Sequence, residues 1–128
     1  VLGVNTLGVI YLTKAVIPYM KKDARGLIVN INSQGGLYGK SERSIYTASK
    51  WAITGFTKCL QPELAKYGIA VTGIYPGKMK TKLFEKVGIH KDMEDALDPS
   101  EVAKTIEFLL TFDSSVVFPE IGIKNIKN

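Results

Sequence analysis

The chain has 128 residues, 45% of them hydrophobic and 23% charged, and its 17 Lys and Arg against 12 Asp and Glu set a formal charge of +5. This length fits one domain burying roughly two thirds of its unfolded surface, and no run of about 18 apolar residues is present to span a bilayer. The basic residues are scattered and mostly Lys, and the cluster Lys78, Lys80, Lys82, Lys86 lacks interleaved aromatics; this argues against nucleic acid and for a solvated face with a modest attraction for anionic ligands.

The opening VLGVNTLGVIYL has no initiator Met, basic n-region or small-residue cleavage site, so it reads as mid-domain sequence rather than a signal peptide. From Val4 to about Lys22, Leu7, Ile10, Tyr11, Val16, Ile17 and Met20 recur near helical spacing, with Pro18 disturbing the last turns. LIVNIN then reads as a strand buried on both faces, and a glycine-rich turn follows. A long helical pattern from Ser44 to Tyr67 carries Ile45, Ala48, Ala52, Ile53, Phe56, Leu60 and Leu64, with Pro62 expected to kink it. IAVTGIYPG is a second buried strand. The charged segment from Lys78 to Leu97 has the character of a mobile lid with a short helix around Thr81 to Val87. Asp98-Pro99-Ser100-Glu101 supplies an N-cap, a first-turn Pro and a capping-box Glu for a helix from Pro99 to about Thr111. SVVFPEIGI reads as a last strand, placed by Pro119 at an edge or bulge. The alternation implies an α/β fold with parallel strands and right-handed crossovers.

LIVNINSQGGLYGKS invites a phosphate-loop reading, which its spacing defeats. The Walker pattern needs four residues between its first Gly and Gly-Lys-Ser, whereas Gly35 leaves three before Gly39 and Gln34 occupies the position that would restore the count. A different chemistry is available. Ser33 lies just past the carboxyl end of the first strand, where open α/β sheets bind ligands, and thirteen residues later the next helix presents Tyr46 and Lys50 on one face. An ammonium one turn away would favour the phenolate, so Tyr46 could exchange a proton with a substrate oxygen that Ser33 also holds. That arrangement suits the reduction of a ketone, with hydride from another source.

Together VNTLG, INSQGG, YTASK and PGKMKT resemble the segments of the short-chain dehydrogenase/reductase family, in this order and spacing over nearly the whole chain. The resemblance implies a partial Rossmann-like doubly wound sheet of about three parallel strands with flanking helices. It also implies the catalytic set Asn5, Ser33, Tyr46 and Lys50. Tyr46 would be the acid in reduction and the base in oxidation, Ser33 would orient the carbonyl, Lys50 would assist Tyr46 and hold the nicotinamide ribose, and Asn5 would anchor a relay water. NAD or NADP would be the cofactor, contacted by Tyr46, Lys50, Pro76, Gly77, Met79 and Thr81. A small alcohol or carbonyl substrate would meet Ser33, Gln34, Gly35 and Tyr46, with Gly35 and Gly36 making room beside the reacting carbon. No metal is implied.

Plainer readings stand beside these. Asn5 could be a surface amide, Ser33 a turn former, Tyr46 an amphipathic helix residue and Thr81 a helix cap. His90 is isolated, Cys59 reads as a small core residue, and Trp51 reads as packing rather than cofactor stacking.

The family's opening strand, its TGxxxGxG pyrophosphate turn and its NNAG segment have no match here, nor does its closing Asp-Gly-Gly. Residues 1–128 are therefore expected to be the C-terminal part of a reductase domain, inactive alone, without the dinucleotide-binding half. The family's helical interface implies a homodimer or homotetramer, and a single cysteine suits the cytoplasm. The competing reading is a non-catalytic oligomerisation or binding module derived from such an enzyme.

Overall fold

The structure, a computed structural model, describes residues 3–80 and 94–128. After a π-helical turn, Gly3–Leu7, the chain forms α1 (Gly8–Asp23), β1 (Gly26–Ile31), a 3-10 turn (Gln34–Gly36), α2 (Ser44–Ala65), β2 (Ile69–Pro76), α3 (Pro99–Leu109) and β3 (Glu120–Ile123). The three strands pair in parallel in the order β1-β2-β3, with Gly26 opposite Ile69 and Gly73 opposite Glu120. The expected parallel α/β sheet with flanking helices is thus present. The short helix expected at 81–87, the body of the expected lid, Thr81 and His90 lie outside the described residues.

Strand alternation assigns the two faces. Ile28, Asn30 and Asn32 point toward α2, and Val71 and Ile69 join Leu60 and Leu64 in the core with Ile17, Met20 and Phe56 packed against them. Leu27, Ala70 and Thr72 point the other way, where with Leu109 and Phe112 they line a cavity of about 310 Å³. The helices of the two crossovers therefore lie on opposite faces of a sheet whose strands follow in simple order, so the crossovers differ in hand and the expectation of uniform right-handedness is corrected. β2, the central strand, is almost wholly buried.

β1 is less enclosed than a strand buried on both faces: Leu27, Ile28 and Val29 are half-buried and Ile31 is exposed, because among the described residues β1 pairs only with β2. β3 begins only at Glu120, since Asp113 caps a turn by accepting from the Ser115 N–H at 2.9 Å, and Phe118 turns back to pack on Phe108 and Phe112. Pro119 stands just before this edge strand and contributes its carbonyl, which accepts from the Gly73 N–H at 3.1 Å and from Gln61 Nε2 at 2.8 Å. Asp98 caps α3 as expected, accepting from the Ser100 N–H at 2.9 Å.

Two helices carry apolar residues on more than one side. In α1, Ile17 and Met20 meet the core while Tyr11, Leu12 and Tyr19 face outward; in α2, Ile53, Leu60 and Leu64 are buried while Ile45, Ala48, Trp51 and Ala52 are exposed. Cys59, expected in the core, is exposed, since it sits one turn beyond Gly55 on this outer face. Among the described residues no helix is long and apolar enough to cross a membrane.

Candidate active site

At the carboxyl end of β1 the chain leaves the sheet at Asn32 and turns tightly over the first half of α2. Ser33 is extended (φ −161°, ψ 167°), and its Oγ accepts from the Gly35 N–H at 2.8 Å, which starts the 3-10 turn. Tyr46 Oη donates to the same Ser33 Oγ at 3.3 Å. A serine hydroxyl has two acceptor positions and one donor. The Gly35 N–H fills one acceptor position, and the Ser33–Tyr46 contact uses one of the two hydroxyl protons, so the other is left to a third group. An incoming carbonyl oxygen at this point would meet the Ser33 and Tyr46 hydroxyls together.

Helical spacing brings Lys50 to the same face, with its ammonium 5.6 Å from the Tyr46 ring centroid. On the other side of Tyr46, one turn earlier, the Arg43 guanidinium carbon is 5.7 Å from the same centroid. Two cations therefore flank one half-buried phenol. Gly35 is required by closeness: a Cβ there would stand 3.0 Å from Ser33 Oγ and 3.1 Å from Tyr46 Cε1. Gly36 has a different reason. A Cβ there would meet Asn32 Nδ2 and Thr54 Oγ1 at 2.7 Å each, so this glycine lets the loop seat on α2 rather than leaving room for a ligand.

The seat is a buried amide. Asn32, 6% exposed, donates through Nδ2 to Thr54 Oγ1 at 2.9 Å and to the Lys50 carbonyl at 3.0 Å, and its Oδ1 accepts from the Ser33 N–H at 2.9 Å. Thr54 in turn donates to the Gly36 carbonyl at 2.8 Å. Asn32 thus holds the Ser33 turn and the Tyr46–Lys50 helix in one frame. Neither it nor Thr54 emerges from the motif reading, although Asn30 and Asn32 share one strand face, and Thr54 and Thr57 one helix face, in the sequence itself. Beneath them Tyr75 is 1% exposed, and burial pushes its phenol above the ordinary value while a hydrogen bond with Thr54 opposes the rise.

The other expected site residues are distributed as follows. Gln34 is engaged, donating through Nε2 to the Tyr75 carbonyl at 2.7 Å, and so ties the turn to β2. Pro76 ends β2 and the Gly77 N–H donates to the Ile123 carbonyl at 2.8 Å. Met79 forms a parallel bridge with Leu97, flanked by Lys80 N–H to the Leu97 carbonyl at 2.8 Å and Leu97 N–H to the Lys78 carbonyl at 2.7 Å. These bonds pin the two ends of the charged segment beside the sheet. Asn5 lies in the π turn, which is fastened to α2 through Thr6 Oγ1, a donor to the Ser49 carbonyl at 3.2 Å. Ser33 and Tyr46 meet through their hydroxyls with the Lys50 ammonium 5.6 Å from the Tyr46 ring centroid, while Pro76, Gly77 and Met79 lie at the exit of the neighbouring strand. The cavity between β1, β2 and α3 sits at the opposite end of the strands from Ser33.

The sequence model of the short chain dehydrogenase family matches residues 1–92. The chain belongs to the short-chain dehydrogenase family. Among its relatives, the 3-oxoacyl-[acyl-carrier-protein] reductase FabG of Thermotoga maritima is 38% identical over 130 residues, covering 94% of this chain and 52% of that protein. A β-ketoacyl-[ACP] reductase (FabG) from Bacteroides thetaiotaomicron superposes with a TM-score of 0.81 at 28% identity, over 98% of this chain and 51% of the other. ElxO, solved with NADP bound, superposes with a TM-score of 0.79 at 30% identity over 93% of this chain and 53% of its own. This short-chain dehydrogenase chain spans about half the length of each of these proteins.

Proposed function

We propose that this chain is the C-terminal, catalytic part of an NAD(P)-dependent oxidoreductase that interconverts an alcohol and a ketone or aldehyde, completed by a dinucleotide-binding half. One observation carries the reading: Tyr46 Oη and Ser33 Oγ stand 3.3 Å apart with the Lys50 ammonium 5.6 Å from the phenol ring. In reduction Tyr46 gives its proton to the substrate oxygen, Ser33 donates a hydrogen bond to that oxygen, and Lys50 stabilises the negative charge left on the phenolate. In oxidation Tyr46 takes the proton back. Asn5 anchors a relay water.

A nicotinamide nucleotide fits the chain's own residues, because Gly35 keeps the Ser33 hydroxyl and the edge of the Tyr46 ring clear of a Cβ that would stand 3.0 and 3.1 Å from them. When bound it supplies or accepts the hydride. Tyr46 and Lys50 would hold its ribose, and Pro76, Gly77, Met79 and Thr81 its carboxamide and pyrophosphate. ElxO was solved with NADP, which supports NADP or NAD here. Gln34 and Gly35 would border the substrate with Ser33 and Tyr46. The outward apolar side chains Tyr11, Tyr19 and Ile45, 65%, 72% and 63% exposed, support a homodimer or homotetramer through α1 and α2. A cytoplasmic setting agrees with Cys59 as a free, exposed thiol.

The test uses the protein expressed from its complete reading frame. It is expected to bind NADH or NADPH, seen as fluorescence transfer, and to reduce a ketone. Tyr46→Phe should lower turnover by roughly 10²- to 10⁴-fold with cofactor binding retained, and Lys50→Ala should weaken both. Full activity in Tyr46→Phe removes Tyr46 from its role. Binding of neither nucleotide turns the reading to the non-catalytic oligomerisation or binding module.

A further inference from the structure

Arg43, the residue before α2, and Tyr46 and Lys50 in its first turns follow at helical spacing, with the guanidinium carbon 5.7 Å and the ammonium 5.6 Å from the phenol ring centroid. The reductase reading gives Lys50 a partner in the cofactor ribose. Arg43 has none. It takes part in no ion pair among the described residues, its neighbour Glu42 included, although its side chain is half-buried and could reach a carboxylate. Its backbone is fixed: the Arg43 N–H donates to the Lys40 carbonyl at 3.3 Å across a turn in which Glu42 adopts a left-handed conformation (φ 65°), and the Arg43 carbonyl accepts from the Thr47 N–H at 2.8 Å. Arg43 and Tyr46 line one open depression at the start of the helix, with Glu42, Ser44 and Ile45.

We propose that Arg43 is a specificity-determining residue that binds an anionic oxyacid group of the substrate, so that the preferred substrates are ketones or alcohols carrying a carboxylate or phosphate close to the reacting carbon. The inference rests on the reductase reading of Tyr46. A guanidinium presents paired N–H donors that match two oxygens of a carboxylate or phosphate. The Arg43 guanidinium carbon is 5.7 Å from the Tyr46 ring centroid and the two residues line the same depression, so a ketone whose anionic group lies close to its carbonyl carbon can address the phenol and the guanidinium together. Such a contact forms in the ground state and persists to the transition state, so it should act mainly on KM.

The test compares matched ketones with the complete protein and its saturating nucleotide: 3-oxobutanoate against methyl 3-oxobutanoate, and dihydroxyacetone phosphate against dihydroxyacetone. The anion should be preferred in at least one pair, which identifies the carboxylate or the phosphate as the group bound. Arg43→Gln should cut that preference in kcat/KM by roughly 10- to 100-fold, through KM, with Arg43→Lys recovering part of it. Raised salt should narrow the preference in the wild type more than in Arg43→Gln. Equal kcat/KM for anion and neutral partner in both pairs, or an equal loss for both partners on Arg43→Gln, overturns the proposal. If the protein binds nucleotide but reduces none of the four ketones, the substrate class alone is refuted. If it binds no nucleotide, the reductase reading falls with it.

Discussion

The side-chain amide of Asn32 donates to the main-chain carbonyl of Lys50 at 3.0 Å, so the segment that leads from β1 into Ser33 and the helix that carries Tyr46 are joined by a part-buried contact separate from the Ser33 and Tyr46 hydroxyls. The same amide nitrogen reaches Thr54 Oγ1, and the amide oxygen receives the Ser33 N–H. Asn32→Ala removes three hydrogen bonds at once and leaves Thr54 and the Ser33 N–H short of partners. We expect a loss of roughly 2 to 3 kcal/mol in denaturant unfolding, together with lower turnover from a Ser33–Tyr46 pair held less firmly. An unchanged unfolding midpoint would show that Asn32 is not the fastening.

Gly36 tests the same seat from the loop side. Gly36→Ala would place a methyl group 2.7 Å from both Asn32 Nδ2 and Thr54 Oγ1, and should cost about 1 to 3 kcal/mol by overpacking. Gly39→Ala, with nothing within 4 Å of its new Cβ, is the control and should leave the thermal midpoint nearly unmoved. Equal effects at the two positions would contradict the packing argument.

Thr72 makes the opposite case. It is 0% exposed in the central strand, and its hydroxyl has no hydrogen-bond partner among the described residues. Burying an unpaired hydroxyl costs free energy that an apolar side chain of the same shape does not. Thr72→Val is therefore expected to raise stability by about 1 kcal/mol, measured as a shift of the urea midpoint at constant slope. A drop in the midpoint would reveal a bond that the hydroxyl does make.

Tyr75 links the core to alkaline pH. Burial raises its phenol above the ordinary 10.0, so the folded state favours the neutral form. The stabilisation is complete below the unfolded value and is lost as pH rises from about 10 through the folded value. Spectrophotometric titration should show one tyrosine ionising later than the exposed ones, and Tyr75→Phe should flatten the alkaline fall in stability. Simultaneous ionisation of all tyrosines in the folded protein would remove this linkage.

Much of this architecture is legible along the chain because it rests on local rules. LIVNIN and IAVTGIYPG are too rich in branched residues for surface helix, and Asp98-Pro99-Ser100-Glu101 states a helix start in its own chemistry, so β1, β2 and α3 stand where their residues direct. The Ser33, Tyr46 and Lys50 positions are legible for a related reason: a strand end and a helical i to i+4 step are both fixed by backbone geometry.

Other features are decided only when separate elements meet. The sequence marks Cys59 as apolar and Gly36 as small, but whether a helix side faces core or outside, and what a missing Cβ makes way for, depend on the neighbour across the gap. The hand of the second crossover belongs to the same class, because it is set by which sheet face α3 covers. Arg43 beside Tyr46 and Asn32 beneath Lys50 are likewise products of packing. The sequence by itself determined β1, β2, the helices and the placing of Ser33 at a strand exit with Tyr46 and Lys50 on one helix face, which follow from short-range sterics and hydrogen bonding. Tertiary structure alone decided the buried polar frame and the second cation, because a contact between Asn32 and Lys50, eighteen residues apart, exists only once strand and helix are packed together.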